Sequence, residues 1–368
     1  MIIVVLAILL IVCILWERLT RRSLHTAVSL ELSFSNAETT AGETIRFKEV
    51  VENRSRLPVP AAEIGFRVER GLLFEDAENI TESDYLYKRD IFSLLGRERI
   101  TRKYRLQCLK RGHYTISQAS IRIRTLPSHN QYIRQVDVSD SLYVYPRRVD
   151  VRDILLRLEM ILGLRESARR VYEDPFAFAS IREYTIRDPM KTINWKATAR
   201  SGQLMVNTYS SVTSEQLVIY LDVEDSHIVK EQDLVEEGIS CAATLTSSLL
   251  GRGLETRLVV GVRDGFRAPV VFGSGRGSAL RASIEQFLTR DFLAMETVSI
   301  EEMLEAEPPR GCIPVILSKN ATQETVRSIS KYCGSDQGAL LVALTPRGGE
   351  CTLRSSAAVQ VLRREATL

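Results

Sequence analysis

The spacing of apolar and polar residues divides the chain into stretches of different character. Residues 1–16 form an almost unbroken apolar run, and Arg18, Arg21 and Arg22 follow it. A helix over this run would be about 24 Å long, slightly shorter than the ~30 Å hydrocarbon core of a bilayer. Because the positive charges follow the run, we expect a single-pass anchor over residues 1–22, with the rest of the chain in the cytoplasm. An export signal, uncleaved or cleaved, and a buried helix stay open as alternatives.

Residues 26–146 show the alternation that is typical of half-buried strands. Val28, Leu30, Leu32 and Phe34 alternate with polar residues, and similar short segments recur between turn sequences. Strands spaced by about 8–12 residues without a strong helix pattern are typical of a sandwich of two sheets. We therefore expect an immunoglobulin-like β-sandwich that carries no catalytic group.

Residues 212–368 alternate apolar runs with amphipathic stretches. The run 217–221 is continuously apolar and ends at Asp222, as expected for a buried strand of a parallel sheet. A long amphipathic stretch follows, and further strand and helix patterns succeed each other, which predicts a doubly wound α/β domain. The fold class predicted for the whole chain is α+β multidomain: a membrane helix, a β-sandwich, a linker over 147–211 and this α/β domain.

Composition and charge exclude several classes of protein. Hydrophobic residues make up 45% and charged residues 26% of the chain, which is the balance of a globular protein. Lys and Arg number 49 against 46 Asp and Glu, so bulk charge does not predict nucleic-acid binding. The cysteines contain no CxxC pair and the histidines no HExxH motif. Zinc ribbons, thioredoxin-type sites and zincin-type proteases are therefore disfavoured.

A cluster of charged and aromatic residues stands in the linker. Its members are Arg182, Glu183, Tyr184, Asp188, Trp195, Lys196 and Arg200. The stretch resembles the signature of Domain of Unknown Function 58 (DUF58) proteins, roughly R-E-Y, a Gly-Asp-Pro turn, R-x-I-x-W-x-x-x-A-R and a following L-x-V. The chain departs from that signature at Arg187 and Lys191, where glycine and arginine are usual.

Two roles are open for this signature. Its cations can form charge-assisted hydrogen bonds, and its aromatic rings supply apolar area with a polar tip. One interpretation is a structural clasp that fixes the linker to the next domain. The other is a surface that recognises a protein partner. A catalytic centre is disfavoured because no residue resembles an activated nucleophile with a base.

The resemblance has implications for the remaining chain. In that family, the region equivalent to 212–368 is similar to a von Willebrand factor A domain, which often binds a metal through D-x-S-x-S after the first strand. The equivalent residues here are Asp222, Glu224 and Ser226, so a glutamate replaces the first serine. A later strand ends at Ser318-Lys319-Asn320, and Lys319 would add an unfavourable positive charge if it pointed inward. We expect no cofactor, with Mg²⁺ at this degenerate site as the alternative.

These observations predict a membrane-anchored scaffold or adaptor without enzymatic activity. The family resemblance implies a MoxR-type AAA+ ATPase as its protein partner. A first alternative is a metal- or nucleotide-dependent hydrolase that uses Asp222, Glu224 and the glycine-rich loop 273–277. A second alternative is an exported structural protein of the cell envelope.

Overall fold

The chain forms two compact units in the computed structural model. One unit contains Met1–Arg148 and Glu285–Asp291, and the other contains Val149–Ile284 and Phe292–Leu368. The structure describes residues 11, 28–75, 80–82, 85–124, 131–171, 178–185, 190, 193–209, 216–225, 231–265, 267–275, 277–348, 353–356 and 358–366.

The first unit is built from strands. They are β1 (Val28–Phe34), β2 (Glu38–Thr40), β3 (Thr44–Asn53), β4 (Val59–Glu69), β5 (Leu72–Phe74), β6 (Ile80–Glu82), β7 (Tyr85–Leu94), β8 (Arg99–Cys108), β9 (Gly112–Arg124) and β10 (Gln131–Tyr145). One sheet has the order β1-β3-β8-β5 and the other the order β2-β10-β9-β4-β7-β6. Neighbouring strands are antiparallel, except that β2 runs parallel to β10.

Aromatic side chains join the two sheets of this unit. Phe47 on β3 lies with its ring centre 5.4 Å from Phe66 on β4, which belongs to the other sheet. Phe74 on β5 meets Phe47 edge to face at 5.6 Å. All three rings are buried, and each contributes about 1.5–3 kcal/mol by leaving water. The alternation in the sequence therefore supplies one apolar face to each sheet, and the two faces form one core.

The second unit combines strands with helices. In chain order they are α1 (Arg152–Val171), β11 (Phe178–Glu183), α2 (Trp195–Ser201), β12 (Met205–Tyr209), β13 (Gln216–Leu221), α3 (Gln232–Gly251), β14 (Glu255–Val260), β15 (Val270–Gly275), α4 (Ser278–Phe287), a 3₁₀ turn (Phe292–Ala294), α5 (Ile300–Ala306), β16 (Ile313–Ser318), α6 (Gln323–Gln337), β17 (Ala339–Thr345) and β18 (Val359–Glu365). The last three residues of helix α4, from Glu285 to Phe287, are assigned to the first unit.

Six strands of this unit form one mixed sheet in the order β15-β14-β13-β16-β17-β18. Neighbours are parallel except for β14 and β15, which are antiparallel. Helices α5 and α6 pack on one face, in a core that includes Tyr220 and Ile316. Helix α3 approaches the sheet so closely at Gly238 that a Cβ atom there would lie 2.9 Å from the side chain of Leu344. The sheet is therefore buried between helices, and its polar groups are confined to the strand ends.

The predicted fold class, α+β with a membrane helix, a sandwich and a doubly wound domain, is wrong for the chain as a whole. Strands account for 46% and helices for 26%, so the protein is mostly β with several sheets. The prediction left strands out of the linker, where β11 and β12 form, and out of the last residues, where β18 forms. Charged residues interrupt the apolar alternation in β11 and in β18, and β12 is a short segment of five residues.

The predicted membrane-spanning helix and the localisation drawn from it are also corrected. Within the part of the chain that the structure describes, no helix has the length and apolar character needed to cross a bilayer. The prediction had relied on the apolar run in residues 1–22, which lies outside the described residues except for Ile11. The assignment as a single-pass membrane protein is therefore not supported.

Candidate functional site

The signature residues form a small motif around strand β12. Strand β11 pairs antiparallel with β12, so that Arg182 lies opposite Val206. Ile193 pairs with the same Val206 through an isolated bridge. Ile193 and Val206 are buried, and they are the hydrophobic centre of the motif. We refer to β11 with the adjacent Tyr184, Ile193, α2 and β12 as the signature motif.

Helix α2 is held in this motif by hydrogen bonds at both ends. The Asn194 side chain accepts a hydrogen bond from the Ala197 N–H at 2.9 Å, which caps the first turn. Gly202 ends the helix with a φ of 76°, a conformation that favours glycine, and its N–H donates to the Thr198 carbonyl. The Thr198 hydroxyl in turn accepts from the Met205 N–H at 3.0 Å. The helix is thus fixed by its polar ends, because none of its seven residues is buried.

The predicted partner-binding residues lie mainly on the surface of the motif. Trp195 is 65% exposed, although it has the largest apolar side chain of the signature. Lys196 and Arg200 are exposed on the same helix. On β11, Arg182 and Glu183 are also exposed, and the Arg182 guanidinium donates to the Glu183 carbonyl at 3.0 Å.

Tyr184 and Asp188 are the remaining two residues of the signature. Tyr184 is half-buried, and its N–H donates to the Leu204 carbonyl at 2.8 Å, which extends the pairing of β11 with β12. Asp188 lies outside the described residues. The structure therefore brings six of the seven predicted residues into one motif.

A second polar group lies where β13 and β16 end side by side. The Asp222 carboxylate is 2% exposed and accepts from the Ser318 hydroxyl at 2.6 Å. It also accepts from the Glu224 N–H at 2.9 Å and from the Asn320 amide at 3.3 Å. Burial raises the pKa of the Asp222 carboxyl, against the lowering effect of the bonds from Ser318 and Glu224. Both carboxylate oxygens of Asp222 therefore already have protein partners.

Lys319 points into this group of polar side chains. Its side chain is 1% exposed, and its Nζ lies 2.8 Å from Asp225 Oδ1 and 3.9 Å from Glu231 Oε2. Among the described residues, no group of three or more His, Cys, Asp or Glu side chains could hold a metal ion. A resident ammonium repels a divalent cation, so the described residues do not fit the degenerate magnesium site. Of its predicted ligands, Asp222 and Glu224 lie here, and Ser226 is outside the described residues.

The glycine-rich loop predicted over 273–277 is partly a strand, because Gly273, Ser274 and Gly275 belong to β15, the outermost strand on one side of the sheet. Because β15 is antiparallel to β14, Gly275 pairs with Thr256 near the start of β14. Asp222 follows the carboxyl end of β13, which runs parallel to β14. A strand of six residues extends about 20 Å, so Asp222 and the loop are separated by roughly that distance. The hydrolase alternative requires both groups in one site, and the topology separates them.

Sequence reasoning identified the strand ends but missed the pairing of their charges. The sequence indicates for Lys319 only a charge unfavourable to a metal, and it indicates no role for Asp225. The available signal was topological, because the carboxyl ends of adjacent parallel strands meet at one edge of a sheet. Asp225 and Lys319 each follow such a strand within a few residues.

Comparison with known proteins gives one curated relative and several solved structures. The uncharacterized protein YeaD of Bacillus subtilis (strain 168) is 24% identical over 208 residues, or 56% of this chain. The chain matches only 50% of the length of YeaD. A non-cellulosomal cohesin from Archaeoglobus fulgidus has 12% identity and a TM-score of 0.24, covering 35% of this chain and 97% of the cohesin. The major pilin SpaD of Corynebacterium diphtheriae has 6% identity and a TM-score of 0.24, covering 32% of this chain and 34% of the pilin.

The family comparison covers the region that contains most of the signature motif. The likeness to a von Willebrand factor A domain, which the sequence resemblance implied, is not confirmed. The match is to a family of unknown function and indicates no enzymatic family. Residues 180–327 match the family described as "Protein of unknown function DUF58", which confirms the resemblance to DUF58 proteins over this region.

Proposed function

We propose that this protein is a non-enzymatic adaptor that binds a partner protein through the signature motif. The observation that carries the proposal is the exposure of Trp195, which is 65% accessible on a helix without any buried residue. Tryptophan, tyrosine and arginine are the residues that most often dominate the energy of protein interfaces. The motif presents all three types within one compact element.

The geometry favours a recognition surface over a structural clasp. A helix of seven residues is marginal alone, and most helices in proteins are stabilised by packing an apolar face. Helix α2 instead depends on its caps and leaves the Trp195 ring in water. Ile181, Met190 and Leu204, in or beside the motif, are exposed as well. Exposed apolar side chains of this size are typical of a surface that another molecule covers.

Charge indicates what the partner surface carries. Arg182, Lys196 and Arg200 are exposed, and among the described residues of the signature one acid, Glu183, is exposed with them. We therefore propose that the partner has an apolar pocket flanked by carboxylates. Opposite charges on the two proteins speed their encounter and fix their relative orientation. A MoxR-type AAA+ ATPase is the proposed partner, on the grounds of the resemblance to DUF58 proteins.

Binding of the cognate ATPase to Trp195 variants tests this proposal. We expect Trp195→Ala to raise the dissociation constant at least tenfold, which corresponds to about 1.4 kcal/mol. Leu156→Ala is the matched control, because Leu156 is also exposed, at 59%, but lies on α1. Calorimetric titration measures both variants, and thermal unfolding shows whether each retains its fold.

Two binding results would contradict the proposal. If folded Trp195→Ala and Arg200→Glu proteins bind the ATPase as tightly as the parent protein, this surface does not bind it. If the parent protein itself fails to bind the ATPase with and without nucleotide, the proposed partner is wrong.

A further inference from the structure

Polar groups accumulate at the carboxyl ends of the two central strands of the mixed sheet. Leu221 of β13 pairs with Leu317 of β16, so the residues that follow them meet at one edge. Asp222 and Ser318 come next on the two strands and are joined by a hydrogen bond of 2.6 Å. Asn320 links the two segments further by donating to the Glu224 carbonyl at 2.8 Å.

The Lys319 ammonium supplies a positive charge at the carboxyl ends of β13 and β16. The Lys319 side chain is 1% exposed and the Asp225 side chain 5%, and their charged atoms lie 2.8 Å apart. A lysine is almost never buried to this degree unless its ammonium is paired. Glu231 Oε2 adds a second negative group at 3.9 Å. Asp225 and Glu231 thus surround the Lys319 ammonium as counter-ions.

The segments that follow β13 and β16 also carry buried oxygen atoms without hydrogen bonds to described residues. Asp225 Oδ2 and Asn320 Oδ1 are buried, and neither has a hydrogen-bond partner among the described residues. Carboxylate and amide oxygens are the ligands that hard cations such as Mg²⁺ prefer. Without the ammonium, this edge would therefore present several oxygen ligands and an excess of negative charge.

We propose that the Lys319 ammonium occupies the position of a divalent cation, so that the strand end is organised by an internal cation and takes up no metal. The ammonium neutralises Asp225 and holds the loop after β13 against the loop after β16. The exclusion of metal follows from charge repulsion and from the occupied oxygens of Asp222.

Removing the ammonium while retaining the oxygens tests the proposal. We expect Lys319→Ala to lower the melting temperature, and Mn²⁺ or Mg²⁺ at about 5 mM to restore part of the loss, since a ligand that binds only the folded state stabilises it. The parent protein should show no shift with either ion. Lys331→Ala, at an exposed lysine of α6, is the matched control and should behave as the parent protein does. Adding Asp225→Ala to Lys319→Ala should abolish the rescue.

The binding of Mn²⁺ can be measured independently by electron paramagnetic resonance. We expect saturable binding to Lys319→Ala, and none to the parent protein. Lys319→Gln provides a second neutral variant if the alanine protein does not fold, with the same expected binding. Saturable Mn²⁺ binding by the parent protein that Asp222→Asn removes would overturn the proposal. The absence of metal rescue and metal binding in both neutral variants would overturn it as well.

Discussion

Two buried lysines show how individual residues of this protein accommodate charge. Lys88 on β7 is 2% exposed, and its Nζ pairs with Asp90 and lies 3.8 Å from Glu49 Oε2. Its ammonium also lies 3.8 Å from the centre of the Tyr104 ring. Burial lowers the pKa of Lys88 to about 8 and raises the pKa of Glu49. Like Lys319, Lys88 therefore has two carboxylates within 4.0 Å of its ammonium, which offset the cost of burying the charge.

The contribution of the Glu43 side chain to folding stability is expected to depend on pH. Its Oε2 accepts from the Thr39 hydroxyl at 2.7 Å and from the Thr40 N–H at 3.1 Å, and these bonds lower its pKa. Because the pKa is lower in the folded than in the unfolded state, the stabilisation is fully present above the ordinary glutamate pKa of 4.5. It is lost as the pH falls through the folded-state value.

The measurement is an NMR titration of the Glu43 side chain. We expect the parent protein to titrate below the ordinary glutamate range and Thr39→Val to move the pKa upward, because the strongest hydrogen bond is removed. Thr44→Val is a suitable control, since the Thr44 hydroxyl contacts Glu75 and not Glu43. A Glu43 pKa that is the same with and without the Thr39 hydroxyl would contradict the assigned cause.

At the scale of elements, helix α2 depends on its N-terminal cap. The Asn194 side chain accepts from the Ala197 N–H at 2.9 Å and donates to Asn207 Oδ1 at 2.7 Å. It therefore joins the helix to β12 as well as capping it. We expect Asn194→Ala to destabilise the signature motif by about 1 kcal/mol, the usual cost of losing such a cap.

Hydrogen exchange of the Ala197 amide measures this effect locally. Exchange should become faster by roughly fivefold in Asn194→Ala, as a loss of about 1 kcal/mol implies. Asn194→Asp keeps an acceptor for the Ala197 N–H and should retain most of the protection. Unchanged exchange in Asn194→Ala would mean that contacts other than the cap hold α2 in place.

Elements differ in how well the sequence predicts them. The apolar run ending at Asp222 is observed as β13, because a strand that is buried on both faces has a continuous apolar sequence. The antiparallel direction of β15 has no local signal, since a strand of either direction buries the same side chains. That direction decides that the glycine-rich loop lies far from Asp222, so it also decides which enzymatic hypotheses are possible.

At the scale of the molecule, Arg364 joins distant parts of the second unit. From β18 its Nε donates to Glu237 Oε1 on α3 at 2.9 Å, and its Nη1 donates to the Asp150 carbonyl at 2.5 Å. Arg364 is 9% exposed and Glu237 only 1%. These bonds connect a strand, a helix and the segment before α1 that lie far apart in the sequence.

We expect Arg364→Leu to lower the free energy of unfolding by about 3–5 kcal/mol, because it removes the guanidinium that pairs with the buried Glu237 carboxylate. The adjacent Arg363→Leu is the matched control, since its pair with Glu365 is exposed and worth about 1 kcal/mol or less. Urea unfolding measures both values. Combining Arg364→Leu with Glu237→Leu should recover part of the loss, and equal effects of the two single arginine variants would refute the argument.

The sequence by itself determined the features that depend on local patterns. Alternation predicts that residues 26–146 are rich in strands, and the signature around Trp195 indicates the resemblance to DUF58 proteins before any contact is known. Tertiary structure alone decided that Trp195 is exposed, that β15 is antiparallel and that Lys319 pairs with Asp225. The period of the apolar residues indicates which side chains of a single segment face the core. Charge pairing and strand direction depend instead on contacts between residues that are tens of positions apart, such as Asp225 and Lys319.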